Sequence, residues 1–180
     1  MKYLTIIFFC LITFAVIGCR KDDATIIDVD SDNSYLPMQV GNYWRINDEN
    51  YIIITGTKMI DKELFYEFSS RVGGDAFGKR YYRIDENNNL IEKYPDHPGE
   101  SYTHAKFNMG MNESFWTTGK KDVNDLNVRI LKKDGDQITF EYTWEYHINL
   151  KGSKTTRTFQ KGLGYLGYKE VKIRDEIYKF

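Results

Sequence analysis

Cysteine is almost missing from this chain: Cys10 and Cys19 are the only two, and none follows them. Whatever folds beyond residue 19 has no disulfide to staple it and no thiolate for a metal, so core burial alone must hold it together. Histidine is scarce as well. His97 and His104 lie seven positions apart in a Pro-flanked stretch near Asp96 and Glu100, a spacing that fits no zinc site and supplies no third ligand. They read as solvated loop residues, and His147 as an exposed residue on a polar strand face, so no metal is expected. Charge of either sign is not in excess. Twenty-five Lys and Arg stand against 26 Asp and Glu, which leaves no electrostatic footprint for nucleic acid. Serine is sparse, no Gly-x-Ser-x-Gly elbow occurs, and the acidic residues form no pair that sequence can assign. The expectation is a protein that is not an enzyme, with no catalytic residue and no cofactor. Gly162, Gly164 and Gly167 do spell a dinucleotide-type fingerprint, but no helix-type periodicity follows them. Glycines in such aromatic, β-branched surroundings mark bends or close backbone approach.

The first 18 residues have one positive charge, Lys2, then an apolar run over residues 3–17 and a small residue, Gly18. That is the layout of a secretory signal, and the run is too short for a comfortable membrane span; a buried helix or a transmembrane anchor is the alternative. Val16-Ile17-Gly18-Cys19 resembles the lipobox of bacterial lipoproteins. The resemblance implies cleavage after Gly18 and lipid on Cys19, and two or three acyl chains make a stable anchor where one does not. Lys21, Asp22 and Asp23 follow at once, which resembles the export signal of Bacteroidetes-type surface lipoproteins. That likeness implies outer-membrane attachment facing the medium. An ordinary charged linker, with the protein facing the periplasm, is the other reading.

Residues 20–34 are polar and acidic, without apolar periodicity. With Cys19 they form the 19–34 anchor and tether, whose random-coil reach is roughly 20 Å. A single domain is expected over 35–180. Its start, residues 35–44 with Pro37 and Gly41-Asn42-x-Trp44, is similar to the opening of small Bacteroidetes-type lipoprotein domains, and residues 161–164 near the end add to the likeness. It implies an envelope protein of unassigned activity.

Fourteen tyrosines, eleven phenylalanines and three tryptophans favour strands. Residues 51–59 and 64–68 flank a turn at Asp61-Lys62, residues 80–85 and 90–94 flank an Asn triplet, and Asp134-Gly135 is a strong hairpin signal. Ile138, Phe140, Tyr142, Trp144, Tyr146 and Ile148 alternate with polar residues, predicting one long strand with a buried face. A short helix has room only near 113–118 or 122–126. The fold class is therefore all-β: a single antiparallel meander, built as a curved sheet or an open or half barrel.

Function is expected to be non-catalytic binding at an outer membrane, of a ligand or an envelope partner, with a glycan among the candidates. Trp116, between Gly110 and Gly119 in a stretch that reads as a loop, is the candidate ligand-binding residue, against the plainer role of a loop anchor. The alternative is a periplasm-facing factor for lipid handling or envelope assembly with an apolar cavity; a hydrolase on a β-scaffold ranks third. A filled interior favours binding, and a hollow apolar one favours carriage.

Overall fold

The structure, a computed structural model, describes residues 33–180. The signal segment 1–18, Cys19, Lys21, Asp22, Asp23 and the tether through residue 32 lie outside the described residues. Thirteen strands follow in chain order: β1 (Tyr43–Asn47), β2 (Asn50–Ile60), β3 (Glu63–Val72), β4 (Ala76–Ile84), β5 (Asn89–Lys93), β6 (Ser101–Lys106), β7 (Ser114–Trp116), β8 (Leu126–Asp134), β9 (Gln137–Trp144), β10 (Lys154–Gln160), β11 (Gly164–Tyr165), β12 (Glu170–Ile173) and β13 (Glu176–Lys179). They form an eight-stranded sheet, β13-β12-β1-β2-β3-β4-β5-β6, and a five-stranded sheet, β11-β10-β9-β8-β7. Strand pairing is antiparallel throughout, and the larger sheet does not close into a barrel. The all-β meander expected from the sequence is what the chain forms.

Local chemistry sets the turns. Ile60 pairs with Glu63, so Asp61 and Lys62 make a two-residue connection, both with positive φ (51° and 67°), as the twist of a hairpin demands. At the Asn triplet, the Asp85 carboxylate accepts the amides of Asn87 (3.0 Å) and Asn89 (2.7 Å), and Asn88 takes the left-handed conformation. Asp134 pairs with Gln137 across Gly135.

Both sheets bury their inner faces in one core. At the end of the β2–β3 and β4–β5 turns that core is filled: Leu36, Phe107, Phe140 and Phe159 are essentially inaccessible, and Tyr35 stacks on Phe107 with centroids 4.9 Å apart. Ser34, placed by the sequence at the end of the tether, is already docked; its carbonyl accepts the Gly162 amide at 2.9 Å. Residues 35–44 and 161–164 meet here. The buried Asn42 donates to the Pro37 carbonyl (3.0 Å) and accepts the Arg174 amide (2.7 Å), while the Trp44 indole donates to the Leu163 carbonyl (2.7 Å). The Gly-Asn-x-Trp signature therefore does structural work, joining the start of the domain to its last strands.

One expectation needs correction. The long strand stops at Trp144, because a loop closes there: the Gly152 amide donates to the Trp144 carbonyl at 2.7 Å, and His147 Nδ1 accepts the amides of Asn149 and Leu150. Trp144 is half-buried, while Tyr146 and Ile148 are 49% and 85% exposed and His147 lies in that loop rather than on a strand. No helix forms among the described residues. Residues 114–116 are strand β7, and the turn at 122–126 is organised instead by the buried Asp125 carboxylate, which accepts the Thr117 hydroxyl (2.6 Å) and the amides of Thr118 (2.8 Å) and Lys121 (2.9 Å).

Candidate functional site

Opposite the filled end, near the β1–β2 and β3–β4 turns, the sheets part around an open cleft of about 350 Å³. Pairing dictates what points into it. Paired residues of antiparallel strands share a face, and Phe68 and Phe140 are core. Arg80, opposite Phe68, and Arg157, opposite Phe140, therefore aim inward, as does Glu92 opposite the buried Tyr82. Three charged side chains thus occupy positions that the alternation reserves for apolar ones.

Glu92 is the deepest, its side chain 3% exposed. Its carboxylate accepts the Tyr94 hydroxyl at 2.5 Å, meets His104 Nε2 at 2.5 Å and lies 3.6 Å from the Arg80 guanidinium. Burial by itself would raise its pKa; the groups of His104, Tyr94 and Arg80 outweigh that and hold the carboxyl below its ordinary value. Tyr94 answers in the other direction, pushed up to about 12 by burial and by its bond to Glu92. Tyr82, edge-on to both Phe68 (5.0 Å) and His104 (5.4 Å), is also raised, first by burial and then by the Glu92 charge. Both phenols are therefore neutral at physiological pH, Tyr94 donating to Glu92 and Tyr82 accepting from the Arg80 guanidinium at 3.5 Å. His104 is no solvated loop residue: it lies on β6 with 17% of its side chain exposed, and its carbonyl accepts the Tyr142 hydroxyl at 2.8 Å.

Arg157 is the odd member. Its guanidinium sits over the Tyr165 and Tyr142 rings, 5.3 and 6.0 Å from their centroids. By accessible surface Arg157 is exposed, and besides the cleft it lines a second, open depression with Gln137, Thr139 and Leu166. No carboxylate pairs with it among the described residues.

Three arginines line the cleft, Arg71, Arg80 and Arg157, with no Asp or Glu among the lining residues. Arg71 spends its donors on the carbonyls of Gly74 (2.8 Å) and Asp48 (3.3 Å). The rest of the lining is largely apolar or aromatic, Ile46, Ile52, Val72, Phe68 and Tyr165 among them. Arginines and rings are interleaved along this concavity: Arg157 lies over Tyr165, and Arg80 is the cross-strand neighbour of Phe68.

Trp116, the residue singled out from sequence, is elsewhere. It sits on β7 rather than in a loop, paired with Asn127, and its ring stacks on Tyr146 with centroids 5.4 Å apart and planes 11° apart. That stack occupies one face of each ring. His97 is exposed in the turn after β5. Among the described residues no group of His, Cys, Asp or Glu could hold a metal ion.

The cleft residues left a faint signal in the sequence. Arg80 shares the register of Tyr82 and Ile84, Glu92 that of Leu90 and Tyr94, and Arg157 that of Phe159. A charge in the apolar register of a strand is costly unless paired or used.

No protein-family model, curated protein or solved structure matches the chain.

Proposed function

We propose that this protein is a lipid-anchored outer-membrane lipoprotein that binds a small ligand, without catalysing a reaction, in the cleft between its two sheets. The cleft itself carries the reading: an open concavity whose lining interleaves arginines and phenols with the apolar Ile46, Ile52 and Val72. The anchor rests on Val16-Ile17-Gly18-Cys19, and display at the cell surface on Lys21, Asp22 and Asp23. Non-catalytic binding is favoured because Glu92 and His104, the acid–base pair beside the cleft, are bonded to each other, and Glu92 is closed off from solvent. Carriage of lipid calls for a hollow apolar interior, whereas here one half is packed with Phe107, Phe140 and Phe159 and the other is lined with arginines.

Mass spectrometry of the native protein, extracted from membranes under mild conditions, tests this. A small molecule should accompany the wild type and be missing from Ser70→Trp, whose indole would fill the cleft. Equal retention in both would move the binding surface outside the cleft, and Trp116 would then be the place to look.

A further inference from the structure

The charge balance of the cleft names a ligand class. Over the whole chain acidic residues outnumber basic ones by one, yet the lining of this cleft has three arginines and no carboxylate. The single buried anion behind it, Glu92, is shared by Arg80, His104 and Tyr94. Arg157 is left with ring faces and phenols. A ring face attracts a cation only modestly and a guanidinium offers five donors, so Arg157, exposed to water and with no carboxylate partner among the described residues, has donors that a charged acceptor can take over from solvent. Two guanidiniums directed into one concavity also repel, and an anion between them relieves that cost while making charge-assisted, bidentate bonds. The remaining walls decide the body of the ligand. Ile46, Ile52 and Val72 offer apolar surface, and a volume of about 350 Å³ against a filled far end leaves room for something compact rather than a long chain.

We propose that the cleft binds a compact organic acid, its anionic head on Arg157 and Arg80 and its ring or short apolar body against Ile46, Ile52 and Val72. This rests on the cleft being the ligand site and adds the charge and shape of what enters it.

Calorimetric titration of the full lipidated protein in phospholipid nanodiscs, with empty nanodiscs subtracted, puts the class to the test. The probes are 4-phenylbutyrate and its neutral isostere 4-phenylbutyramide. The acid should bind one to one, and the amide at least tenfold more weakly, about 1.4 kcal/mol. Arg157→Gln should cost the acid a similar factor and leave the amide unchanged. Lys62→Gln, the same charge change at the β2–β3 turn of the opposite end, should alter neither. The urea midpoint of each variant and unchanged amide binding show that the fold is kept; Arg80→Gln gives an independent arm should Arg157→Gln unfold. Equal affinity for acid and amide, or full acid affinity in both arginine variants, overturns the anionic class and leaves the cleft as a site for neutral ligands. Failure of the acid to bind overturns the proposal in any case, and the cleft reading falls with it when extraction also yields no retained molecule.

Discussion

Gly164 passes so close beneath Trp44 that a β-carbon on it would lie 2.7 Å from the indole, whose N–H donates to the carbonyl of the preceding residue, Leu163. Gly164 also has φ +84°, a conformation that a side chain resists. One contact thus ties β1 to β11, and so couples the larger sheet to the smaller. Gly164→Ala must move a fully buried tryptophan or the backbone under it, so overpacking and strain together should cost roughly 2–4 kcal/mol. Chemical denaturation measures it. By contrast, Gly167→Ala has open space around it and should lose only the conformational component, about 1 kcal/mol.

Asp125 should make the protein acid-sensitive. Burial alone would raise its pKa, but the Thr117 hydroxyl and the Thr118 and Lys121 amides outweigh that and hold it below its ordinary value. With the folded pKa below the unfolded one, its contribution is complete above about pH 4 and disappears as pH falls through the depressed folded value. Asp125→Asn should therefore flatten the acid limb of a stability-versus-pH curve. Asp125→Ala, which strands buried donors, should cost about 3 kcal/mol at neutral pH. An unchanged acid limb in the Asn variant would show that other carboxyls govern acid unfolding.

Strand β9 is tested by contrast along its own register. Phe140 is buried between the sheets, edge-on to Phe107 and Phe159, and truncation to Ala should cost about 3–5 kcal/mol. Ile148, eight positions on and in the same alternation, is 85% exposed, so Ile148→Ala should stay within roughly 0.5 kcal/mol. Comparable losses at both would restore the continuous strand that alternation predicts.

That pair also shows how far the sequence could be read. Turn chemistry is local, so Asp61-Lys62, the Asn triplet and Asp134-Gly135 located three hairpins, and alternation found the buried face of β9 as far as Tyr142. Alternation has no way to register the loop that His147 and Gly152 close, so it overran the strand end. The cleft was hidden for a different reason. Arg80, Glu92, His104 and Arg157 come from four strands, and only the pairing of Arg80 with Phe68 and Arg157 with Phe140 reveals that they face inward. His104 in particular looks solvated when read beside His97, because its partner Glu92 is twelve residues away on the neighbouring strand.

The N-terminal signals make a cell-level prediction. Cys19→Ser removes the thiol that lipid would occupy, so radiolabelled palmitate incorporation should vanish. Replacing Lys21, Asp22 and Asp23 together with alanine should keep acylation but protect the protein from protease added to whole cells. Normal labelling of Cys19→Ser contradicts the lipoprotein reading; equal protease access in the triple variant reduces the charged cluster to linker.

Glu92 is where stability and binding should pull apart. Its carboxylate is the anion that Arg80, His104 and Tyr94 share, and removing one partner from a buried ion pair is costly. Glu92→Gln keeps the size and one acceptor, so the loss should be roughly 2–4 kcal/mol rather than the full cost of a stranded charge. The same change frees Arg80 from its 3.6 Å partner and makes the cleft more positive. An anionic ligand should then bind more tightly to the less stable protein, with the neutral amide unaffected. Calorimetry at two salt concentrations separates the effects, since an electrostatic gain shrinks as ionic strength rises whereas a packing change does not. Weaker acid binding in Glu92→Gln would instead mean that the carboxylate positions Arg80 for the ligand, and that orientation at this site outweighs net charge.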